Sequence, residues 1–422
     1  MIDNLPTLPK TVLLTLKEES ESQDSSTRRK EELESLATTM GVDIVESMIL
    51  PLRAVNPSTL IGKGNVASLE ELVKDKEIEL VIFDQDLAPR MQRNLERIFD
   101  TAVIDRQEVI LQIFSDRAAT KEAVLQVALA RQEYSLPRLT RRWSHLSRQR
   151  GGMRGTRDAG ETQLEIDRRI VLRKIANFKK ELTKVENQRA IQRKNRLEGS
   201  IPTVAIVGYT NAGKSSLLNK LADTDVLVED KLFATLDPTT RKINLNHGGE
   251  IIISDTVGFV SNLPHQLVDS FKATLEETTY ADLIIHLVDA AHPDVLNCYK
   301  TTKEVLDSLD CSDKPTLIFV NKMDAIYDSI AVNQIISENE DVIVGSVKNN
   351  VGLDKLLDQI EKKLAKEYPS QHYLFPHSRG DLVALIRREG SLLKIDYIDE
   401  GANVVAKVPK RLVEQLKPFI RN

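Results

Sequence analysis

The stretch GYTNAGKSS, residues 208–216, decides the fold of the middle of this chain. It follows the apolar strand pattern TVAIVG (203–208) and leads into the helical pattern KSSLLNKLA (214–222). Its first eight residues match G-x-x-x-x-G-K-[ST] in the strand–loop–helix context of a phosphate-binding loop, although a glycine turn before an ordinary helix is the alternative. Backbone N–H groups and the helix N-terminus would bind phosphates there. We therefore predict a nucleotide-binding α/β domain.

Two short segments add the chemistry that this loop would need. Lys214 is expected to reach the β- and γ-phosphates, and Ser215 to offer its hydroxyl to Mg²⁺. DTVG ends the strand pattern EIIISD (250–255). Asp255 would hold Mg²⁺ through a water, and the N–H of Gly258 would contact the γ-phosphate.

The segment NKMD, residues 321–324, indicates guanine rather than adenine. Asp324 can accept hydrogen bonds from the ring N–H and the exocyclic amine of guanine, whereas adenine would leave a buried carboxylate unpaired. Asn321 would brace the loops, and the stem of Lys322 would cover the base. Ser346-Val347-Lys348 fits the segment whose backbone contacts the guanine oxygen, which is a weak signal by itself.

The sequence offers three candidates for the threonine of the switch region. Thr235, within FATLD (233–237), is the first candidate for the residue that closes over Mg²⁺ in the GTP state, with Thr239 and Thr240 as rivals. Phe259 stands where many GTPases have a glutamine that orients water. It is either a core residue under the switch or a sign of slow intrinsic hydrolysis that a partner stimulates, and both readings can hold.

Composition places the whole chain among globular proteins. It has 422 residues, 41% hydrophobic and 29% charged, enough for about two to four domains. Cys298 and Cys311 are too few for a disulfide framework, which favours a reducing compartment. The N-terminus has no signal-peptide pattern, and no apolar run approaches the roughly 20 residues of a membrane helix. We expect a cytoplasmic protein with no membrane span.

Charge is distributed unevenly along the chain. The formal net charge is −5, but residues 131–200 hold 19 Lys/Arg against 8 Asp/Glu, a local charge of +11. This imbalance indicates one basic element that touches an anionic partner. A solvated face of a coiled coil is the alternative.

The basic segment also carries a helical pattern. Apolar residues in heptad spacing predict a seam, with a partner helix at 122–134 that offers Leu125 and Leu129. The seam residues are Val171, Ile175, Phe178, Leu182 and Val185. Between the helices lies RQRGGMRGTRDAG (148–160), so we predict an antiparallel helical hairpin with a flexible basic tip.

The remaining segments complete the predicted architecture. Residues 1–116 alternate strands and helices, which predicts a parallel α/β domain. The hairpin follows over 117–199, a Ras-like P-loop G domain over 200–368, and a small α+β domain over 369–422. In the last domain, VALIRREG and SLLKIDYIDEG are expected to be strands with a turn at Gly390, before a further strand and a helix.

Several of these stretches resemble one known family. They are FATLDPTTR, DTVGFVSNLP, GETQLEIDRR (160–169) and NPSTLIGKGNVASL (56–69). Together they look like HflX, a bacterial GTPase of the translation-factor class, over residues 45–369. The resemblance implies binding to the large (50S) ribosomal subunit and its rRNA, and splitting or rescue of stalled or idle ribosomes under stress. It also implies a GTPase with an apolar residue in place of the glutamine, stimulated by the ribosome.

The resemblance also implies a set of functional residues. Lys214, Thr235 and Gly258 would act in catalysis, Ser215 and Thr235 would be the ligands of Mg²⁺, and the protein is expected to be a monomer. The nucleotide contacts it implies are Gly208, Tyr209, Thr210, Asn211, Ala212, Gly213, Lys214, Ser215, Phe233, Ala234, Thr235, Leu236, Asp237, Asp255, Thr256, Val257, Gly258, Asn321, Lys322, Met323, Asp324, Ser346, Val347 and Lys348.

Two features and two other functions stay open. The family's loop before ETQLE usually runs Gly-Pro-Gly, but here Asp158-Ala159 replaces Gly-Pro and Arg154 is an extra residue. IGKGNV (61–66) is a turn or a second phosphate loop. A GTP-dependent switch that binds a protein effector, or a nucleotide-gated RNA-binding module, would also fit the pattern.

Overall fold

The computed structural model describes residues 8–139, 157–198, 201–222, 233, 239–245, 250–260, 277–366, 370–408 and 410–421. Contacts divide the described residues into two units, an N-terminal unit that runs to Lys184 and a second unit that begins at Val185. Both are built on mixed α/β architecture, which confirms the predicted fold class. No helix in the described part of the chain is long and apolar enough to span a bilayer.

The N-terminal unit begins with a four-stranded parallel sheet, as predicted. Its strands β1 to β4 lie in the order β2-β1-β3-β4. Val12, Leu13 and Leu14 are fully buried, because helices cover both faces of a parallel sheet. The strands are β1 (Lys10–Glu18), β2 (Asp43–Leu52), β3 (Leu80–Phe83) and β4 (Ala102–Asp105). The helices are α1 (Gln23–Met40), α2 (Lys63–Asp75), α3 (Pro89–Phe99) and α4 (Arg106–Arg117).

A network of buried charges lies at the carboxyl ends of β1 and β3. Asp84 follows β3, and its carboxylate accepts hydrogen bonds from Arg106 Nη1 at 2.8 Å and Arg29 Nε at 2.9 Å. Arg29 also bonds Glu21 at 2.8 Å, and Arg106 bonds Glu32 at 2.8 Å. The two arginines therefore satisfy the buried carboxylate of Asp84 within the protein itself.

A second polar cluster joins this sheet to the next helix, α5 (Lys121–Ser135). Asp105, at the end of β4, accepts hydrogen bonds from Tyr134 Oη at 2.9 Å and Arg138 Nη2 at 3.1 Å. Arg138 also donates to the carbonyl of Leu87 at 2.8 Å, and its guanidinium lies 3.5 Å from the centre of the Tyr134 ring. The end of α5 is thus fixed to the carboxyl edge of the sheet.

A long helix, α6 (Arg157–Glu198), follows in the described chain. Its residues Val171, Ile175 and Leu182 are buried, as are Leu125 and Leu129 of α5. A salt bridge of 2.8 Å between Lys179 and Glu133 joins the two helices. Phe178 and Val185 are partly buried. Among the side chains of α6 that the structure describes, the buried ones are Val171, Ile175 and Leu182, and all three belong to the predicted seam.

Two local predictions in this unit were wrong. The predicted loop 148–160 is already helical from Arg157, because the polar residues there continue directly into the α6 pattern; residues 140–156 lie outside the described chain. The stretch IGKGNV, predicted as a turn or a second phosphate loop, is helical from Lys63. Gly62 is the N-cap of α2, and Lys63 opens the helix.

The second unit contains a six-stranded sheet in the order β10-β9-β8-β5-β7-β6. All neighbouring pairs are parallel except β6 and β7. The strands are β5 (Thr203–Gly208), β6 (Thr239–Asn244), β7 (Glu250–Asp255), β8 (Leu283–Asp289), β9 (Thr316–Asn321) and β10 (Val342–Val344). The helices described with it are α7 (Lys214–Ala222), α8 (Val295–Ser308), α9 (Ser329–Glu338) and α10 (Leu353–Lys366).

The C-terminal segment has the predicted strands from Ser391 and the predicted final helix, but one element differs from its prediction. It forms an antiparallel sheet in the order β11-β13-β12, with β11 (Ser370–Phe375), β12 (Ser391–Ile398) and β13 (Gly401–Lys407). VALIRREG is not a strand but lies in helix α11 (Gly380–Glu389), and the helix α12 (Lys410–Leu416) follows. Leu382, Val383 and Ile386 are buried. Their spacing puts them on one face of a helix, where they pack on the sheet.

Candidate functional site

The phosphate-binding loop connects β5 to α7 at the carboxyl edge of the six-stranded sheet. Gly208 has a φ of 154°, and a Cβ there would lie 2.3 Å from the carbonyl oxygen of Leu287 on β8. Asn211 and Gly213 have φ of 60° and 95°. These left-handed residues fold the loop tightly enough for α7 to begin at Lys214.

Lys214 is buried at the centre of the loop. Its Nζ donates to the carbonyl oxygens of Gly208 at 3.1 Å and Tyr209 at 2.8 Å. Burial lowers the pKa of Lys214 to about 8, and the negative charge of Asp255 opposes this shift. A buried ammonium group that donates to the carbonyl dipoles of the loop attracts a phosphate strongly. This environment fits the role predicted for Lys214.

Ser215 and Asp255 meet at the same edge. Ser215 Oγ donates to Asp255 Oδ2 at 2.6 Å. Asp255 is the last residue of β7, and the next residue, Thr256, donates its hydroxyl to the carbonyl of Ile206 at 2.7 Å. The adjacent strands β5 and β7 therefore bring the two groups together, as the order of the segments predicted.

The segment after Asp255 lies directly on the phosphate-binding loop. The N–H of Phe259 donates to the carbonyl of Gly208 at 3.2 Å, and the N–H of Thr210 donates to the carbonyl of Phe259 at 2.7 Å. A Cβ on Gly258 would lie 2.9 Å from Lys214 Nζ. Only glycine fits this position without displacing the ammonium group.

The side chain of Phe259 is 2% exposed. Its aromatic ring belongs to the core beneath the loop and offers no hydrogen bond to a water molecule. The reading of Phe259 as a core residue thus agrees with its burial. The second reading, slow intrinsic hydrolysis, concerns a rate and stays a prediction.

Asn321 braces the site between two loops. Its Nδ2 donates to the carbonyl of Ala212 at 2.9 Å, and its Oδ1 accepts from the N–H of Val347 at 2.9 Å. A single amide therefore connects the phosphate-binding loop to the segment that begins at Ser346. Both polar ends of the buried side chain are used, so its orientation is fixed.

Lys322 and Asp324 follow at the carboxyl end of β9. Lys322 Nζ lies 2.7 Å from Asp289 Oδ2 at the end of β8. The carboxylate of Asp324 is exposed, although the sequence argument treated it as buried. A hydrogen bond from Ser346 is the main cause that lowers the pKa of Asp324. Asp324 is therefore ionised at neutral pH and can accept two hydrogen bonds.

The predicted switch residues are described only in part. Phe233 is buried and has a φ of 55°. Ala234, Thr235, Leu236 and Asp237 lie outside the described residues. Thr239 and Thr240 lie on β6, where the hydroxyl of Thr240 is 3.3 Å from Ser254 Oγ. The choice among the three threonines therefore stays a prediction.

Two residues of the site were missed by the sequence reasoning. Asp289 holds Lys322, and its position directly after the apolar strand pattern of β8 was the signal that could have found it. His286 on β8 stacks on Tyr299 with ring centres 5.0 Å apart. Burial, followed by the charges of Lys214 and Lys303, lowers the pKa of His286 to about 3. Its neutral ring adds no charge beneath Lys214, and no sequence pattern marked it.

The site thus combines a buried cation, a serine hydroxyl beside an aspartate, a glycine N–H above the loop and an ionised carboxylate near the end of the sheet. This arrangement can bind a nucleotide whose phosphates face Lys214 and whose base faces Asp324.

Three family models match the chain in succession. Residues 27–115 match the N-terminal region of a GTP-binding GTPase, and residues 117–196 match the middle region of such a GTPase. Residues 203–322 match a family described as 50S ribosome-binding GTPase.

Curated relatives extend this similarity over nearly the whole length. A GTPase HflX of Akkermansia muciniphila is 42% identical over 401 residues, which is 92% of this chain and 92% of the relative. A GTPase HflX of Treponema denticola is 49% identical over 353 residues, which is 82% of this chain and 90% of the relative.

A solved structure is also similar to this chain. A GTP-binding protein of Sulfolobus solfataricus in complex with GDP is 26% identical, covers 85% of this chain and 99% of its own, and gives a TM-score of 0.46. The curated relatives settle the family. The P-loop GTPase domain assembled around Lys214, and an identity above 40% across almost the full length, place this chain in the HflX family of GTP-hydrolysing enzymes.

Proposed function

We propose that this GTPase binds the large ribosomal subunit and couples GTP binding and hydrolysis to splitting or rescue of stalled or idle ribosomes, under stress. The observation that carries the proposal is the basic surface of α6. In its described part the exposed basic side chains are Arg168, Arg169, Arg173, Lys174, Lys179, Lys180 and Lys184. The similarity of residues 203–322 to 50S ribosome-binding GTPases supports the same partner.

The basic surface suits ribosomal RNA for a physical reason. Lys and Arg side chains that neutralise RNA phosphates release bound counterions, which makes the binding favourable and dependent on salt. Structured RNA is recognised mainly through its backbone and shape. An extended helix with exposed cations and a Gly- and Arg-rich connection needs no base-specific contact to bind it.

Phe259 supports stimulation by that partner. Its side chain is buried and cannot position the attacking water. Groups that order the switch segments when the partner binds would complete the site, and such groups supplied in trans raise the rates of related GTPases by roughly 10³–10⁵. We therefore assign slow hydrolysis to the isolated protein and fast hydrolysis to the ribosome-bound protein.

The residues at the site also suit a magnesium ion. Ser215 Oγ and Asp255 Oδ2 lie 2.6 Å apart, and oxygen donors of this kind are those that Mg²⁺ prefers. We assign Ser215 and Thr235 as its protein ligands. When bound, the ion would neutralise charge that develops on the phosphates.

The chain's own groups would do the remaining work. Lys214 would bind the β- and γ-phosphates, the N–H of Gly258 would hold the γ-phosphate, and the carboxylate of Asp324 would accept from guanine. We keep the full predicted set of nucleotide contacts, the four domains, a monomeric state and a cytoplasmic location as parts of this proposal.

Sedimentation with isolated ribosomal subunits tests the proposal. We expect the protein to move with the large subunit in a non-hydrolysable GTP analogue, less in GDP, and the large subunit to stimulate hydrolysis. Binding that ignores the nucleotide would favour an RNA-binding module. Stimulation by a protein effector, with no subunit binding, would favour a regulatory switch.

A charge variant sharpens this test. Replacing Arg148, Arg150, Arg154 and Arg157 with Ala should weaken subunit binding and lower the salt slope by about one unit for each lost phosphate contact. A matched variant removes four exposed lysines from G-domain helices, Lys220, Lys300, Lys355 and Lys362. Equal losses in both variants, or unchanged binding in the arginine variant, would remove the hairpin from the mechanism.

A further inference from the structure

One buried side-chain hydroxyl of the phosphate-binding loop makes no hydrogen bond within the described part of the chain. Thr210 is 5% exposed, and its Oγ1 has no hydrogen-bond partner among the residues that the structure describes. A buried hydroxyl that makes no hydrogen bond is unfavourable, so such a group in a native protein calls for an explanation.

A neighbouring threonine shows how the same site treats a structural hydroxyl. Thr256 is fully buried, and its Oγ1 donates to the carbonyl of Ile206 at 2.7 Å. Among the described residues, the fold therefore supplies a backbone acceptor for the hydroxyl of Thr256 but none for that of Thr210. If Thr210 only filled space, valine would fill the same space without the cost of a buried hydroxyl.

The position of Thr210 points to the γ-phosphate end of the nucleotide. Its N–H donates to the carbonyl of Phe259 at 2.7 Å. Its Cγ2 is 2.8 Å, and Lys214 Nζ is 2.9 Å, from the point where a Cβ of Gly258 would lie. Thr210 and the ammonium group of Lys214 thus lie on the same side of Gly258, whose N–H would hold the γ-phosphate.

The hydroxyl can reach this place without a movement of the backbone. Oγ1 and Cγ2 are attached to the same Cβ, so a rotation about the Cα–Cβ bond brings the hydroxyl to the position near Gly258 that Cγ2 occupies. Phosphate oxygens are strong acceptors, and a hydroxyl is a donor that rotates to suit them.

We propose that the side-chain hydroxyl of Thr210 donates a hydrogen bond to the γ-phosphate of GTP, so that it distinguishes GTP from GDP and supports hydrolysis where Phe259 cannot. This inference rests on the GTPase assignment but not on ribosome binding, since it concerns the isolated protein. It adds a side-chain role to a residue for which the loop pattern implies backbone contacts.

The test compares Thr210→Val with Thr210→Ser in the full-length protein without ribosomes. Affinity is measured for GDP and for a non-hydrolysable GTP analogue, and hydrolysis is followed in single turnover. A hydrogen bond to a charged group is worth roughly a tenfold to hundredfold change in affinity. We expect T210V to lose about that factor for the analogue and for the hydrolysis rate, with GDP affinity kept within about twofold. We expect T210S to restore most of both.

Thr302→Val is the matched control, because it removes a buried hydroxyl that donates to a backbone carbonyl, that of Cys298, on helix α8 away from the predicted nucleotide contacts. It should lower thermal stability and leave the ratio of the two affinities unchanged. A ratio in T210V equal to that of the unmodified protein, or an equal loss of both nucleotides, would overturn the role of Thr210. Failure of the unmodified protein to bind GTP would instead reject the nucleotide site, and a lack of ribosome binding would leave this inference untouched.

Discussion

The two parallel sheets of this chain both bury charges at the carboxyl ends of their strands, but they satisfy them in different ways. In the N-terminal unit, Asp84 is paired with Arg106 and Arg29 at 2.8 Å each. In the second unit, Lys214 donates to backbone carbonyls, and burial lowers its pKa to about 8. In the first set the arginines and carboxylates pair with one another, whereas in the second the ammonium group of Lys214 can still pair with an anion.

The comparison teaches that position in a fold does not make a binding site by itself. Ligands of open α/β sheets bind where the strand order reverses, and the N-terminal sheet has such a point between β1 and β3. There the chain supplies both partners of each ion pair, so the charges stabilise the structure. At the same edge of the second sheet, Lys214 donates to the carbonyls of Gly208 and Tyr209 and can bind phosphate instead.

Removing the carboxylate of Asp84 tests the role of buried charges in the N-terminal sheet and should give the largest effect of the proposed variants. Asp84→Ala leaves the buried Arg106 and the partly buried Arg29 without their shared carboxylate, and losing one partner of a buried pair costs about 3–5 kcal/mol. Hydrogen exchange of β1 and β3 in the full chain measures this loss. GTP affinity should stay the same.

The control for Asp84 is an exposed ion pair of the same unit. Lys10 and Glu77 lie 3.4 Å apart on the surface, so Glu77→Ala should change exchange very little. Similar exchange in the two variants would mean that the network around Asp84 does not stabilise the sheet.

Lys214→Ala tests the other side of the comparison and should give the next largest effect. Its ammonium group would make at least two charged contacts to phosphates, so nucleotide affinity should fall by about a hundredfold or more. Thermal stability should be kept, because burying this amine is unfavourable. Ser215→Ala should mainly weaken steps that depend on Mg²⁺. Near-normal turnover of both variants would show that this loop is not the active site.

Asp324→Asn tests whether the exposed carboxylate reads the base. Guanine affinity should fall by roughly tenfold to a hundredfold, because an amide N–H would face the exocyclic amine of guanine. Xanthine carries a carbonyl in place of that amine, so the variant should recover affinity for a xanthosine nucleotide. Calorimetry with both nucleotides measures this exchange, and equal binding of ATP and GTP by the unmodified protein would refute the role of Asp324.

The pH dependence of binding should give the smallest effect. The pKa of Lys214 is about 8 in this structure, and a bound phosphate favours the protonated form and raises it. Affinity is therefore complete below pH 8 and falls as pH rises, by about tenfold between pH 7 and pH 9. Guanosine, which has no phosphate, should lack this dependence. A flat profile for GDP would mean that Lys214 keeps its proton without a ligand.

Local sequence patterns predicted those helices and strands whose start and end are marked by residues of the element itself. Helix α7 begins and ends at the residues of KSSLLNKLA, and β7 coincides with EIIISD. The strand predicted for VALIRREG was wrong, because a short apolar run such as VALI suits a strand and a helix equally. Asp381 in its first turn and Arg387 in its last turn were helix signals that deserved more weight.

The polar contacts were harder to predict than the elements. The roles of Lys214 and Asn321 follow from a pattern whose geometry recurs in nucleotide-binding loops. The pairing of Asp84 with Arg106 and Arg29 joins residues from three elements, and no local spacing encodes it. The same applies to the unused hydroxyl of Thr210, because only packing in three dimensions decides which side chains find a partner.

The amide of Asn321 has a consequence for how quickly the enzyme can be reloaded. Because it connects Ala212 to Val347, we expect the phosphate-binding loop and the loop predicted to contact the guanine oxygen to move together. GDP would then leave only when both loops open. We expect the rate of spontaneous nucleotide exchange to depend on how long the contacts to the diphosphate of GDP last. Where these contacts are short-lived, the cellular ratio of GTP to GDP sets the fraction of the protein that holds GTP.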